Sequence, residues 1–160
     1  MADSNITKLI GKSYVAAIRN SVGANTWRNF YALDHGMERD VLSDGVHSCS
    51  YFVSSILSMF QLAQSIHMTV DSVVTDLEQS GWQEITEPRL GSVLLWEAID
   101  FGDAGSFTHL GFYIGEEQAI STSSRKRVPA QHDWLYRDNP PAGKNERKVQ
   151  KIFWHEKLSA

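Results

Sequence analysis

The sequence has one cysteine, four prolines and no long apolar run. A single cysteine excludes any internal disulfide, and with it the disulfide-dense secreted scaffolds. Zinc modules that depend on two or more thiolates are excluded by the same count. Four prolines and eleven glycines in 160 residues fall far short of a collagen-like or low-complexity chain. No stretch approaches the roughly 18 apolar residues of a membrane helix. The first residues, Met1-Ala2-Asp3-Ser4-Asn5, lack the basic start and apolar segment of a secretory leader. The expectation is a cytoplasmic protein, with non-classical release (a phage lysis or effector route) as the alternative.

What is present fits one folded domain spanning 1–160, with no internal repeat. Apolar residues make up 42%, aromatic ones 11% and charged ones 21%, enough to bury a core without staples. Charge is unevenly placed. Residues 1–120 hold 6 Lys/Arg against 15 Asp/Glu, and residues 121–160 hold 9 against 4. A polyanion surface is one reading of that basic end. No nucleic-acid motif accompanies it, so a solvated face and a polar loop are the preferred account.

Periodicity places helices first and strands after. Ser4 is the expected cap of a first helix carrying Ile6, Leu9, Ile10, Val15, Ala17 and Ile18, with its end marked by Gly23 and Asn25. Residues 24–47 show no period and read as a long irregular segment of functional interest. The clearest helix covers about 48–65, where Cys49, Phe52, Val53, Ile56, Leu57, Phe60 and Ala63 form one stripe behind the cap candidate Ser48. Another runs from Thr69 to just before Gly81. Strands are expected at 92–98, 107–114, 118–121 and 149–154, with a hairpin turn at Gly115-Glu116-Glu117. This order predicts an α+β fold with an antiparallel sheet.

Cys49 sits in the first turn of its helix. Unpaired N–H groups and the positive helix end stabilise a thiolate there, so a low-pKa nucleophile is expected. The competing account is a small core residue on an apolar stripe. Of six histidines, His47 and His67 are poorly placed to serve it, His35 lies in the irregular segment, and His155 reads as exposed. His109 enters the apolar strand Leu110-Gly111-Phe112-Tyr113-Ile114, where it can face a helix terminus and take the thiol proton. His47, Cys49 and a third histidine lack a defined ligand spacing, so no metal or organic cofactor is implied.

These segments resemble the NlpC-type cysteine peptidases, papain-like enzymes related to the CHAP amidases that cut bacterial cell-wall peptides. Ser48-Cys49-Ser50-Tyr51-Phe52-Val53 is similar to the family's Asp-Cys-Ser-Gly-Phe-Val nucleophile motif. Gly91-Ser92-Val93-Leu94-Leu95-Trp96 resembles its Gly-Asp-Leu-Val-Phe-Phe strand. Thr108-His109-Leu110-Gly111-Phe112-Tyr113-Ile114-Gly115 resembles its Ser-His-Val-Gly-Ile-Tyr-Leu-Gly segment. The likeness covers roughly residues 45–125 and implies a papain-like domain with Cys49 as nucleophile and His109 as base.

Three departures bear on the site. Ser121 stands where the family often has a second histidine, and its hydroxyl is the expected acceptor for His109. His132 and Asp133 are rival orienters, against a plain surface-loop account of both. Ser48 and Tyr51 replace an aspartate and a glycine, which removes support for the usual peptide-stem specificity. The resemblance also implies a tyrosine near the oxyanion site, for which Tyr31 is the candidate, beside the Cys49 N–H. The expected function is a thioester-forming hydrolase of a peptide or amide bond, and the resemblance implies bacterial cell-wall (peptidoglycan) peptides as its substrate. The alternatives are a papain-like acyltransferase or toxin-type enzyme, and a non-catalytic binding domain that has lost the triad.

Overall fold

Gly11, Tyr14, Val15 and Ile18 recur at i, i+3, i+4 and i+7, and they are the buried stripe of helix α1 (Ile10–Asn20). The structure is a computed structural model and describes residues 5–159. The expected cap Ser4 lies outside the described residues. The helix starts later than its apolar pattern, because Ile6 and Leu9 remain 61% and 51% exposed and a helical turn there would gain no packing.

Helix α2 (Cys49–Met59) buries Phe52, Val53, Ile56 and Leu57. It ends well short of residue 65. Gln61 turns left-handed at φ 56°. The Leu62 N–H then closes on the Leu57 carbonyl at 2.9 Å and the Gln61 N–H on Ser58 at 3.1 Å, a Schellman cap without glycine. Helix α3 (Val70–Gln79) begins as expected, with the Thr69 hydroxyl accepting the Ser72 N–H. Gly81 closes it at φ 88°, with the Trp82 N–H on the Leu77 carbonyl at 3.2 Å.

The segment 24–47 is not irregular throughout. It holds a short 3-10 turn (Asn25–Trp27) and a hairpin of β1 (Tyr31–Asp34) and β2 (Met37–Asp40). His35 and Gly36 both take positive φ, the twist a two-residue hairpin turn requires. Both strands are largely exposed, so neither carries the alternation that marks a half-buried strand.

The main sheet contains β3 (Gln83–Ile85), β4 (Val93–Asp100), β5 (Ser106–Gly115), β6 (Gln118–Thr122), β7 (Pro129–Asp133) and β8 (Val149–Trp154). Its spatial order is β3-β8-β4-β5-β6-β7, with every neighbouring pair antiparallel. The four expected strands are present. The stretch read as a surface loop around His132 is instead the edge strand β7, which admits Pro129 at its first position.

One sheet face packs on the helices through Leu95, Leu110, Phe112 and Ile120 against Tyr14, Phe52 and Ile56. The other carries Leu94, Trp96 and Ala119, covered by Trp134 and Tyr136. Covering on both sides explains why β4 and β5 read as near-continuous apolar runs. His155, expected in solvent, is 8% exposed and within 2.9 Å of the Ser80 carbonyl, under Trp82.

The basic C-terminal quarter meets acidic partners from earlier in the chain. Arg127 and Arg28 share Asp44, Lys144 binds Glu97 at 2.9 Å, and Arg137 reaches Glu117 as well as Asp133. Among the described residues, no helix is long and apolar enough to cross a membrane.

Gly111 on β5 is a contact point between strands. A Cβ there would lie 2.7 Å from the Ser121 Cβ and 2.9 Å from the Trp96 ring. Gly111→Ala is therefore expected to cost about 1–3 kcal/mol by overpacking. Urea unfolding measures it, and an unchanged midpoint would contradict this packing.

Candidate active site

Cys49 is the first residue of α2 and is half-buried. Ser48 holds the N-cap position, yet its hydroxyl donates to the Gly45 carbonyl at 3.2 Å instead of accepting from the helix. The first-turn N–H groups thus have no side-chain cap. That leaves donors available for a developing oxyanion, the Cys49 N–H among them.

The strand that meets this helix end is locally unpaired. On β5, Tyr113 bonds toward β4 through Ser92, so Phe112 and Leu110 point toward β6. Phe112 pairs with Ile120, and the same register would pair Leu110 with Thr122. That last pair is not made. The Leu110 N–H instead favours the Cys49 thiolate, and the Thr122 carbonyl favours the protonated His109 ring.

His109 lies opposite Trp96 of β4 and stacks on its indole, ring centroids 5.6 Å apart. Burial lowers its pKa to about 3, helped by the positive Arg147 and by His132, against the Thr122 carbonyl. Burial likewise pushes the Cys49 thiol up. Leu110 N–H, the Ser50 hydroxyl at 3.9 Å and Arg147 act against that rise. The expectation of a low-pKa thiol is therefore corrected: in the free protein both partners are neutral, because burial disfavours each charge more than the neighbours stabilise it.

Ser121 is buried and fully engaged. Its Oγ lies 2.8 Å from His132 Nε2 and 2.9 Å from the Tyr136 hydroxyl. His132 Nδ1 sits 2.7 Å from the Asp133 carbonyl, which can only accept. Nδ1 therefore carries the hydrogen, Ser121 donates to Nε2, and Tyr136 donates to Ser121. The Tyr136 ring stacks on His132 at 4.0 Å. The expected Ser121–His109 hydrogen bond is replaced by this chain, and the oxygen beside the His109 ring is the Thr122 carbonyl.

The Asp133 carboxylate is turned away, held by the Arg137 guanidinium, which lowers its pKa to about 2. Tyr31 stands on the exposed hairpin, 64% exposed, and its hydroxyl makes no hydrogen bond among the described residues. The phenol close enough to feel the Cys49 charge is that of Tyr136, pushed up to about 12 chiefly by burial. Of the other histidines, His47 lies against Phe107, His67 is bonded to Asp76 at 2.6 Å, and His35 tops the hairpin. Among the described residues no cluster of three or more metal-ligating side chains forms.

Sequence reasoning missed Trp96, Tyr136 and Arg147 as parts of this site. Trp96 ends the apolar run Val93–Trp96 and reads as core. Tyr136 and Arg147 lie in aperiodic segments, where no local pattern marks them.

A solved structure, NlpC2 from Trichomonas vaginalis, matches with a TM-score of 0.51 at 16% sequence identity, over 94% of this chain and 48% of that one. The fold is NlpC-like. The chain spans about half the length of that neighbour. No protein-family model and no curated protein matches the sequence. The papain-like α+β architecture is thus shared at the level of fold.

The neutral His109 has a measurable consequence for stability. Unfolded, it takes a proton near about pH 6.5; folded, it resists down to about 3. A depressed folded pKa gives stability that is present above the unfolded value and lost as pH falls through this window. Thermal melts between pH 7 and pH 4 should show a smaller loss for His109→Gln than for wild type. Parallel losses would refute the burial of a neutral imidazole.

Proposed function

We propose that the protein is a cysteine hydrolase of a peptide or amide bond. The supporting observation is Cys49 at the uncapped start of α2, packed on β5 where the Leu110–Thr122 pair is not made, with the Leu110 N–H favouring its thiolate and the Thr122 carbonyl favouring a protonated His109. If Thr122 accepts one ring N–H of His109, the other ring nitrogen carries the lone pair a general base needs.

Because both groups rest neutral, proton transfer accompanies attack. The Cys49 S–H proton passes to His109 as sulfur bonds to the carbonyl carbon, and the oxyanion is met by the uncapped N–H groups of α2. Collapse breaks the C–N bond, and the His109 proton leaves with the amine. Water then attacks the thioester, giving a proton to His109 and the acyl group its new hydroxyl, and the thiol is restored. Cell-wall peptides are the substrate class that the sequence resemblance implies. An acyl acceptor other than water would make the same intermediate serve a transferase.

A binding domain without catalysis is the second reading. It is favoured by one observation, that the third position is a serine already committed to His132 and Tyr136.

A peptidyl acyloxymethyl ketone followed by intact mass separates these readings. The hydrolase should be labelled on Cys49, with no labelling in Cys49→Ala and a rate about a hundredfold or more lower in His109→Ala. Labelling that ignores His109 would sink the enzyme reading. Digestion of purified peptidoglycan by the labelled-competent protein, with product ends read by mass spectrometry, tests the substrate class.

A further inference from the structure

The bulge of β4 between Trp96 and Ile99 leaves main-chain carbonyls without strand partners. Arg147 fills it. Its Nε donates to the Glu97 carbonyl and its Nη2 to the Phe107 carbonyl, both at 3.0 Å, and its backbone N–H to Leu135 at 2.7 Å. The guanidinium carbon lies 6.0 Å from the centre of the Tyr136 ring. Its charge is felt by Cys49, His109, His132 and Tyr136 together.

A half-buried guanidinium is commonly paired with a carboxylate. Among the described residues none lies within salt-bridge distance of Arg147. The nearest acid felt is Glu97, and its carboxylate is committed to the Lys144 ammonium at 2.9 Å and the Lys148 N–H at 3.1 Å. Two carbonyls fix the plane of the fork and leave its other N–H groups unused. Its chain neighbours Lys144, Asn145, Glu146 and Lys148, with Glu97, line a surface recess of about 460 Å³.

We propose that Arg147 is the specificity residue of this site, a preset fork that binds a carboxylate of the substrate beside Cys49. The inference rests on the hydrolase reading and names its substrate class, a peptide or acyl amino acid with a free or side-chain carboxylate near the scissile bond.

Alkylation with two reagents of opposite character tests it on the full chain. The iodoacetate-to-iodoacetamide rate ratio at Cys49 should fall about tenfold in Arg147→Gln and less in Arg147→Lys. Lys12→Gln, which removes an exposed charge on α1, should leave it as in wild type. An unchanged ratio in Arg147→Gln overturns the proposal. A thiol inert to both reagents defeats the hydrolase reading instead. The subsite is then decided in Cys49→Ala by titrating N-acetylglycine against N-acetylglycinamide and following the His109 and His132 imidazole resonances. A response to the carboxylate alone, abolished by adding Arg147→Gln, supports the subsite. An equal response to both compounds, or to neither, overturns it.

Discussion

Between Leu110 and Thr122 a backbone pair that the strand register demands is not formed, and the candidate site occupies the opening. An unpaired N–H and an unpaired carbonyl inside a sheet are costly unless other groups meet them. Here Cys49, at the end of α2, and the ring of His109 are the neighbours whose charged forms they favour. The helix can reach that point because its apolar stripe, Phe52, Val53, Ile56 and Leu57, seats it on the sheet face made by Leu110, Phe112 and Ile120. Packing of one face therefore sets where Cys49 enters the other layer of chemistry.

The opposite sheet face supplies the remaining parts. Gly111 lets Ser121 and Trp96 close over β5, and that closure stacks Trp96 on His109 while leaving Ser121 to His132 and Tyr136. The result is a site in which burial holds thiol and imidazole both neutral. Arg147 biases that balance in one direction. Its positive charge favours a thiolate and disfavours an imidazolium, so it supports the sulfur anion without needing a charged histidine.

The charge distribution follows the same division of labour. Asp44 gathers Arg28 and Arg127 across the chain, and Glu97 holds Lys144 and the Lys148 backbone. These contacts tie the late basic segment onto the earlier acidic part and carry Arg147 to the bulge. Pairs this exposed add little stability singly. Their effect is to fix where the last loop lies.

The amino-acid sequence by itself determined the elements with strong periodicity: the stripe of α2, the capped start of α3 and the four apolar strands, and hence an α+β fold with a cysteine at a helix start. Local capping escaped it at Gln61, where a non-glycine residue takes the left-handed turn, and the exposed hairpin escaped it because neither face is buried. Cys49 and His109 were legible because each sits at the edge of a periodic element. Only the tertiary structure decided their surroundings. Register and sheet curvature gave Ser121 to His132, brought Tyr136 and Arg147 in from aperiodic segments, left Tyr31 in solvent and set both ionisations by burial. None of these depends on near neighbours in the chain, which is why no local pattern announces them.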